Sequence, residues 1–386
     1  MEDFLNNYGL LSAFLISTTL SALLVVTRRV HLKLTYRQKD VSAIQSAHSV
    51  PTPRIGGVAV LVGALAAGVP MAMDGTGQTW FLALSLIPVF AAGLLEDLGV
   101  GVSPKHRLLA AALSSVLAII LFGAWVARTD LVGLDFLVAF APVGIALTVF
   151  GGAGICNAFN LIDGLNGLSA TIGITVAVAL GLIASRGGQP DLATWGYVIA
   201  SALTGFLLLN FPWGKIFMGD AGAYGIGHLL VWVAILMLDA LPDLTPWALL
   251  LVFFWPLADT VLAIVRRRRS GKPTDQPDRL HFHQLVMRAI EIGKLGRGAR
   301  HIANPLATVV MMPFFMAPPF VAVILWDNAV AAAIAFFCFV VLFATSYSTG
   351  VLLARAWRKN SGRKFIYGLM RQKVHSLIPY LPEYKG

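Results

Sequence analysis

Long apolar stretches alternate with short polar segments along the whole chain. A helix needs about 20 mostly apolar residues to cross the hydrocarbon layer of a membrane. Stretches of roughly this length predict an all-α polytopic membrane protein with about 11 transmembrane helices. The predicted spans are 10–26, 55–73, 79–95, 107–127, 136–155, 167–185, 193–209, 222–238, 246–265, 305–325 and 329–352.

The composition agrees with this pattern. Of the 386 residues, 57% are hydrophobic and 12% are charged, whereas soluble domains carry about 25% charged residues. The net charge of +10 is explained by basic residues that lie beside anionic lipid headgroups. Membrane lipids, and no nucleic acid, are therefore the partners expected from the charge.

The basic residues lie almost entirely on one side of the predicted membrane. Only Arg128 and Arg186 fall on the other side. Because cationic loops stay in the cytoplasm, this partition places the amino terminus outside and the carboxyl terminus in the cytoplasm. The predicted cytoplasmic segments hold 27 of the 29 Lys and Arg residues: 27–54, 96–107, 156–166, 210–221, 266–304 and 353–386.

The first span carries no small-residue cleavage site, which predicts an uncleaved first helix. We predict one transmembrane catalytic domain over 1–353, whose first five cytoplasmic segments form the site. The remaining 354–386 forms a basic cytoplasmic tail, which is expected to rest on the anionic inner leaflet.

The polar clusters that stand out from this apolar background all fall on the predicted cytoplasmic side. The outer loops are short and carry few functional groups. One shared cytoplasmic site is the simplest explanation. The clusters are "HSVPTPRIGG" (48–57), "EDLGVGVSPKHR" (96–107), "NAFNLIDGLNGLSA" (157–170), "NFPWGKIFMGDAGAYGIG" (210–227) and "PDRLHFH" (277–283).

The side chains in these clusters favour phosphoryl transfer. Carboxylates and amides are oxygen ligands suited to Mg²⁺, and cations donate hydrogen bonds to phosphate oxygens. The oxygen ligands are Glu96, Asp97, Asp163, Asp220, Asn157, Asn160 and Asn166. The donors are Lys105, Arg107, Lys215, Arg279, His281 and His283. A metal and cations together neutralise the charge on reacting phosphates.

Several glycines border the two central acidic residues. Glycine lets the backbone approach a ligand closely, but small residues also let membrane helices pack tightly. Both interpretations are open for Gly164 and Gly167 beside Asn166, and for Gly219, Gly222 and Gly225 around Asp220.

Two ionisable residues lie inside predicted spans. Asp259 is a functional candidate by its depth, and three roles are open: pairing with Arg266, lining the wall of the site, or direct catalysis. His228 is interpreted as a packing histidine with satisfied hydrogen bonds.

The ordered motifs "PTPRIGG", "NAFNLIDGLNGL", "KIFMGDAG" and "PDRLHFH", with an acidic pair after the third span, resemble those of a known family. It is the polyprenyl-phosphate N-acetylhexosamine-1-phosphate transferase family, glycosyltransferase family 4. The resemblance is to the undecaprenyl-phosphate GlcNAc-1-phosphate transferase-like branch. It implies a Mg²⁺-dependent enzyme of the bacterial plasma (inner) membrane, with its active site on the cytoplasmic face.

The implied reaction transfers a sugar 1-phosphate from a UDP-N-acetylhexosamine to a polyprenyl phosphate. The products are polyprenyl-diphospho-sugar and UMP, in the first membrane step of a cell-surface polysaccharide such as O-antigen or lipopolysaccharide. Mn²⁺ is an alternative metal, and a homodimer is left open.

The resemblance also implies roles for individual residues. Asp220 binds the metal with Asn160, Asp163 to Asn166 receive the uridine, and Glu96 and Asp97 handle the polyprenyl phosphate. The implied catalytic residues are Glu96, Asp97, Asp163 and Asp220. The implied substrate-binding residues are Arg54, Asn157, Asn160, Gly164, Leu165, Asn166, Lys215, Arg279, His281 and His283.

At two of these positions the chain departs from the family pattern. Glu96 replaces the first aspartate of the acidic pair, and Asn166 replaces the second aspartate of the uridine turn. Because an amide keeps its hydrogen-bonding groups but carries no charge, Asn166 is predicted to contact the nucleobase.

Some questions remain open at this point. They are the identity of the sugar, the polymer pathway, which of Glu96 and Asp97 accepts the proton, and whether transfer is direct or passes through a phospho-aspartate. The alternative functions are a phospho-MurNAc-pentapeptide transferase-like enzyme and, in a different class, an ion-coupled transporter or lipid flippase.

Overall fold

The structure is a computed structural model that describes residues 2–30, 52–71, 77–271, 280–291 and 299–352. All regular secondary structure in these ranges is helical, which confirms the all-α prediction for them. The helices are α1 (Glu2–Val26), α2 (Gly56–Met71), α3 (Gln78–Asp97), α4 (Pro104–Phe122), α5 (Leu134–Val138), α6 (Ala141–Ile162), α7 (Leu168–Arg186), α8 (Pro190–Asn210), α9 (Gly219–Ala240), α10 (Pro246–Val252), α11 (Phe254–Arg269), α12 (Phe282–Ile290), α13 (Arg300–Ile324) and α14 (Ala329–Leu352).

Within the described ranges, nine helices are long and apolar enough to cross a membrane. A tenth span is possible in α10 and α11, which meet at a bend of 78° near Phe253. The helix α2 has 16 residues and is shorter than the other predicted spans. The chain is therefore a polytopic membrane protein, while the count of eleven spans and the orientation of the termini remain predictions.

Helix boundaries follow local signals in the sequence. Ser103 accepts a hydrogen bond from the backbone N–H of His106 and is followed by Pro104, so α4 begins there. The same helix ends at Gly123, which adopts a left-handed conformation with φ of 69°. These signals place the first turn of α4 beside the end of α3.

The helix α9 forms the centre of the structure, and nearly every residue from Gly219 to Leu238 is buried. It packs against α2, α3 and α6. A Cβ atom at Gly222 would collide with the backbone of Gly57 on α2, and one at Gly227 would lie 2.8 Å from the Cα of Cys156 on α6. Gly222 and Gly227 therefore allow α9 to pack closely against α2 and α6. For Gly222, this supports the helix-packing interpretation of the sequence.

His228 is fully buried on α9, and its Nε2 lies 3.0 Å from the hydroxyl of Ser85 on α3. The ring also packs against Trp232. This environment agrees with a packing role for His228, but its Nδ1 has no hydrogen-bond partner among the described residues, so the prediction of satisfied hydrogen bonds holds only for Nε2.

The described residues up to Phe339 form one compact unit, and Val340 begins a second one. Only the end of α14 is described in the second unit. The predicted basic tail, 354–386, lies outside the described residues, so the predicted domain division stays a prediction.

Candidate active site

The carboxylate of Asp97, the last residue of α3, caps the amino terminus of α9. Its Oδ1 accepts a hydrogen bond of 2.9 Å from the backbone N–H of Asp220, and its Oδ2 accepts one of 2.8 Å from Ala221. A helix leaves its first N–H groups without partners, and a carboxylate at this position is also favoured by the helix dipole. Asp97 therefore holds the turn that carries Asp220.

A short run of backbone hydrogen bonds joins the "PTPRIGG" segment to the loop before α9. Phe217 N–H donates to Pro53, and Gly56 N–H donates to Phe217, each at 2.9 Å. Gly219 follows with φ of +75°, and a Cβ atom there would collide with the carbonyl oxygen of Arg54. This position requires glycine for both reasons.

These backbone contacts bring two cations to Asp220, which is 5% exposed. Arg107, from the first turn of α4, forms an ion pair with its Oδ2. Arg54 approaches its Oδ1 at 3.9 Å and keeps a half-exposed side chain. The two guanidinium groups are suited to bind phosphate oxygens. The carboxylate is the kind of oxygen ligand that Mg²⁺ prefers.

Two amide side chains near the end of α6 face the same part of α9. The hydroxyl of Tyr224 donates a hydrogen bond of 3.1 Å to Oδ1 of Asn157, and Asn160 is in hydrogen-bonding contact with the same tyrosine. The guanidinium of Arg107 lies 5.9 Å from the centre of the Tyr224 ring. Tyr224 thus connects the two asparagines to the Arg107–Asp220 pair.

The turn after α6 is tied to the start of α9 through Asp163. The hydroxyl of Ser169 donates a hydrogen bond of 2.6 Å to its Oδ1, and the backbone N–H of Gly219 donates another. Burial raises the pKa of Asp163, while these hydrogen bonds and the nearby charges of Arg54 and His283 act against that rise.

Asn166 is 5% exposed and is held by the chain around it. Its backbone N–H donates to the side chain of Asn304 at 2.8 Å, and its backbone oxygen accepts from Thr308 at 2.8 Å. Its Nδ2 donates to the carbonyl of Pro212 at 2.7 Å. Oδ1 has no partner among the described residues, and Nδ2 keeps a second hydrogen beyond the one it donates to Pro212, so these two groups are available for the predicted nucleobase contact.

Asn210, the last residue of α8, supports the same turn from another side. Its Oδ1 accepts a hydrogen bond of 2.6 Å from the backbone N–H of Gly167, and its Nδ2 donates one of 2.7 Å to Ile216. Because Gly167 has φ of +78°, the turn after α6 depends on glycine there.

The histidine motif before α12 lies against this turn. His283 is 1% exposed, and a Cβ atom at Gly164 would lie 2.6 Å from its Nε2. His281 Nδ1 lies 3.0 Å from Oδ2 of Asp259. Asp259 thus pairs with His281, and Arg266 instead donates to the carbonyl of Leu280 at 2.8 Å. The suggested pairing of Asp259 with Arg266 is therefore wrong.

Other predicted site residues are placed less centrally. Lys215 is exposed, lies 5.1 Å from the centre of the Trp213 ring and lines an open cavity of about 560 Å³ with Arg28 and Arg29. Glu96 is partly buried beside Asp97, and Leu165 is buried in the turn after α6. The predicted contact from Arg279 lies outside the described residues.

The oxygen atoms around Asp220 suit a Mg²⁺ site that the substrate completes. Within the described part of the chain, no group of three or more His, Cys, Asp or Glu side chains could hold a metal. Mg²⁺, however, is commonly held by one or two carboxylates together with substrate phosphates. Asp220 and the amide of Asn160 suit that mode, in which the substrate completes the ligand set.

Several residues that build this site carry no signal in the ordered motifs. The sequence indicates Arg107 only as one of six phosphate donors, and it does not single out Tyr224, Asn210, Asn304 or Thr308. Tyr224 follows Asp220 by four residues, the spacing that puts two residues on one helix face. Asn304 and Thr308 show the same spacing, and they are the polar residues of α13 after His301, so the sequence does contain this signal.

Comparison with known proteins places these features in a wider group. A profile described as "Glycosyl transferase family 4" matches residues 79–238. The undecaprenyl-phosphate alpha-N-acetylglucosaminyl 1-phosphate transferase of Yersinia pestis is 28% identical over 273 residues, which cover 69% of this chain and 74% of the relative. The enzyme of the same name from Haemophilus influenzae is 34% identical over 259 residues, covering 65% and 72%.

A relative from another bacterial group is equally similar. The decaprenyl-phosphate N-acetylglucosaminephosphotransferase of Mycobacterium tuberculosis is 32% identical over 283 residues. These residues cover 65% of this chain and 68% of the relative. The matches therefore extend over more than two thirds of each relative.

Proposed function

This chain belongs to glycosyl transferase family 4, and we propose that it transfers a sugar 1-phosphate to a polyprenyl phosphate. The relatives described above are named as transferases of N-acetylglucosamine phosphate that act with undecaprenyl or decaprenyl phosphate. The same reaction class accounts for the chemistry of the site in this chain.

One observation supports the proposal most directly. The family match over 79–238 includes the acidic pair at the end of α3, the turn after α6 and the start of α9. In the structure these three segments meet around Asp220 through the hydrogen bonds of Asp97 and Asp163. The matched region therefore supplies Asp97, Arg107, Asp163 and Asp220, while Arg54 joins this cluster from outside it.

The proposed donor is a UDP-N-acetylhexosamine. An oxygen of the polyprenyl phosphate forms a bond with the β-phosphorus, the bond from that phosphorus to the bridging oxygen breaks, and UMP leaves with that oxygen. We assign Arg54 and Arg107 to bind the donor diphosphate, because guanidinium groups donate paired hydrogen bonds to phosphates. Asp163 to Asn166 would contact the uridine.

We further propose that Asp220 and Asn160 hold Mg²⁺, with Mn²⁺ as the alternative metal. When bound, the metal would neutralise charge on the diphosphate and on the leaving UMP. The residues of the chain would prepare its site, since Asp97 orients the backbone at Asp220.

The proposed location of the site is the cytoplasmic face of the bacterial plasma (inner) membrane. The distribution of basic residues supports this orientation, and it suits a reaction with one substrate in the bilayer and the other in the cytosol. The phospho-MurNAc-pentapeptide, transporter and flippase alternatives are not favoured by the named relatives.

The experiment is to incubate the purified protein with undecaprenyl phosphate, MgCl₂ and a panel of UDP-N-acetylhexosamines, and to measure UMP together with the lipid product. We expect UMP with at least one sugar, with UDP-N-acetylglucosamine tested first. Absence of UMP with every sugar would contradict the proposal.

A second experiment tests whether the reaction requires a metal. Chelation by EDTA should abolish UMP release, and added Mg²⁺ should restore it. The variant Asp220→Ala should insert into the membrane normally and lose turnover. Full activity of that variant would show that Asp220 does not hold the metal.

A further inference from the structure

The side chain of Asp259 makes contacts that the sequence prediction did not anticipate. It lies on α11, about two turns before Arg266, and is 1% exposed. A carboxylate is rarely buried in a membrane protein unless a partner compensates its charge. Its partners here belong to the histidine motif that precedes α12.

Both oxygens of the Asp259 carboxylate contact this motif. Oδ1 accepts a hydrogen bond of 3.1 Å from the backbone N–H of Phe282. Oδ2 lies 3.0 Å from Nδ1 of His281 and 3.6 Å from Nδ1 of His283. An ionised carboxylate can only accept, so the contact with His281 requires the proton on Nδ1.

The two imidazole rings are thereby held in a defined arrangement. The rings of His281 and His283 stack with centroids 5.6 Å apart and an angle of 17° between their planes. His283 is buried, and its Nδ1 faces the Asp259 carboxylate at 3.6 Å. Its Nε2 has no hydrogen-bond partner among the described residues and faces Gly164, in the turn assigned to the donor nucleotide. This nitrogen is therefore placed to contact a ligand bound at that turn.

The helix α11 holds the motif at a second point as well. Arg266 donates a hydrogen bond of 2.8 Å to the carbonyl oxygen of Leu280. Residues 280–283 are therefore attached to α11 through both backbone and side-chain contacts. Asp259 contributes the contacts that determine the orientation of a histidine ring.

We propose that Asp259 is a positioning residue that acts through His281: its carboxylate holds the Nδ1–H tautomer of His281 and sets the histidine pair against the donor-nucleotide turn. The ligand that the pair would meet is the diphosphate of a nucleotide sugar, so this inference rests on the proposed function. Carboxylates that orient a histidine in this way fix its tautomer as well as its position.

The first test measures steady-state turnover of Asp259→Asn, which keeps the side-chain volume but presents an amide to His281. An amide can donate to Nδ1 and so favours the wrong tautomer. We expect kcat/KM for the UDP-sugar to fall on the order of 100-fold, the upper end of the range for loss of a carboxylate that orients a functional histidine. KM for the polyprenyl phosphate should stay within about twofold, because Asp259 acts on the nucleotide side of the site.

A double-mutant cycle separates this role from general support of the fold. If Asp259 acts through His281, then Asp259→Asn combined with His281→Asn should be no worse than the more damaging single variant. Losses that multiply would show that the two residues act independently and would overturn the proposal. So would turnover of Asp259→Asn within about twofold of the unmodified protein.

The control is Thr260→Val, the next residue on the same helix. Thr260 is also buried, and its hydroxyl has no hydrogen-bond partner among the described residues. We expect unchanged turnover for this variant. A loss equal to that of Asp259→Asn would indicate general damage to α11 and would overturn the proposal.

A measurement that does not depend on activity completes the test. Hydrogen exchange of the segment 280–291, followed by mass spectrometry, should become at least about tenfold faster in Asp259→Ala, because the Phe282 N–H loses its acceptor. Thr260→Val should leave this exchange unchanged, and unchanged exchange in Asp259→Ala would overturn the anchoring role. If the unmodified protein releases no UMP, the proposed function fails, while the exchange result still decides whether Asp259 holds the motif.

Discussion

The two carboxylates at the end of α3 have different surroundings. Both oxygens of Asp97 accept hydrogen bonds from the backbone of α9, whereas Glu96 is partly buried beside it. Capping α9 uses both oxygens of Asp97, so we propose Glu96 as the residue that takes a proton from the polyprenyl phosphate.

This assignment predicts different results for the two residues. Glu96→Gln should lower kcat by about 10²- to 10⁴-fold, the range for loss of a general base, with an unchanged thermal midpoint. Asp97→Ala should lower the unfolding free energy by about 2 kcal/mol, because α9 loses its cap. UMP assays and thermal unfolding in detergent measure these effects. An unchanged kcat for Glu96→Gln would contradict the role of Glu96 as the base. An unchanged midpoint for Asp97→Ala would contradict the capping role of Asp97.

Asn166 provides a second prediction at this scale. Asn166→Asp replaces the amide that donates to Pro212 with a group that cannot donate, so a buried carbonyl loses its partner. The unfolding free energy should fall by about 1–3 kcal/mol. Calorimetry with UDP-sugars tests the nucleobase contact at the same time, because that contact loses its support if the affinity for every UDP-sugar is unchanged.

Asn328 offers a matched control for this substitution. It is exposed, and its Oδ1 accepts a hydrogen bond of 3.0 Å from the backbone N–H of Ala331 at the start of α14. An aspartate caps a helix as well as an asparagine does. The midpoint of Asn328→Asp should therefore stay unchanged, and a fall equal to that of Asn166→Asp would argue against the specific role of the Pro212 contact.

At the scale of helices, the site depends on how closely α9 approaches its neighbours. Gly93 on α3 and Gly222 on α9 lie at two of these crossings, and a Cβ atom at Gly93 would lie 2.6 Å from the backbone of Ala221. Such contacts leave no room for a methyl group. Helix packing and site geometry are coupled here, since Ala221 directly follows Asp220.

We therefore expect Gly222→Ala to separate α2 from α9. The unfolding free energy should fall by about 1–3 kcal/mol through overpacking, and UMP release should fall with it because Arg54 and Asp220 move apart. The measurements are the thermal midpoint in detergent and the rate of UMP release.

Gly151→Ala on α6 is the control for that change. A Cβ atom at Gly151 would meet nothing within 4 Å among the described residues. Alanine is favoured over glycine in a helix by about 1 kcal/mol, so the midpoint should stay equal or rise. Equal losses in both variants would show that close packing at Gly222 is not the cause.

At the scale of the whole molecule, the orientation in the membrane can be tested directly. Asp243 and Ser270 are exposed residues that flank the bent pair α10 and α11, on opposite predicted sides. With the exposed Cys338 replaced by serine, a membrane-impermeant maleimide added to intact cells should label Asp243→Cys. It should label Ser270→Cys only after the cells are opened. The opposite pattern would reverse the predicted topology.

The sequence by itself determined the class of the protein and the composition of its site. Length and hydrophobicity predicted membrane helices because the bilayer sets the length of a spanning helix, and motif order was enough to indicate the family. The described helices overlap every predicted span, although the exact count depends on a short helix and on a bend. The set of acidic, amide and basic residues around Asp220 was also readable from the chain.

The tertiary structure alone decided what each polar residue contacts. Asp97 caps a helix, Asp259 holds His281 instead of Arg266, and Asn166 is fixed by residues from α13 and from the loop before α9. These partners are separated by 22 to 142 residues along the chain. Local sequence does not show how close such distant residues lie in the fold. Whether two of them form a hydrogen bond depends on differences in distance of a few tenths of an ångström. The small residues of α9 let the neighbouring helices pack closely. This packing brings the polar groups together and determines which residue each of them contacts.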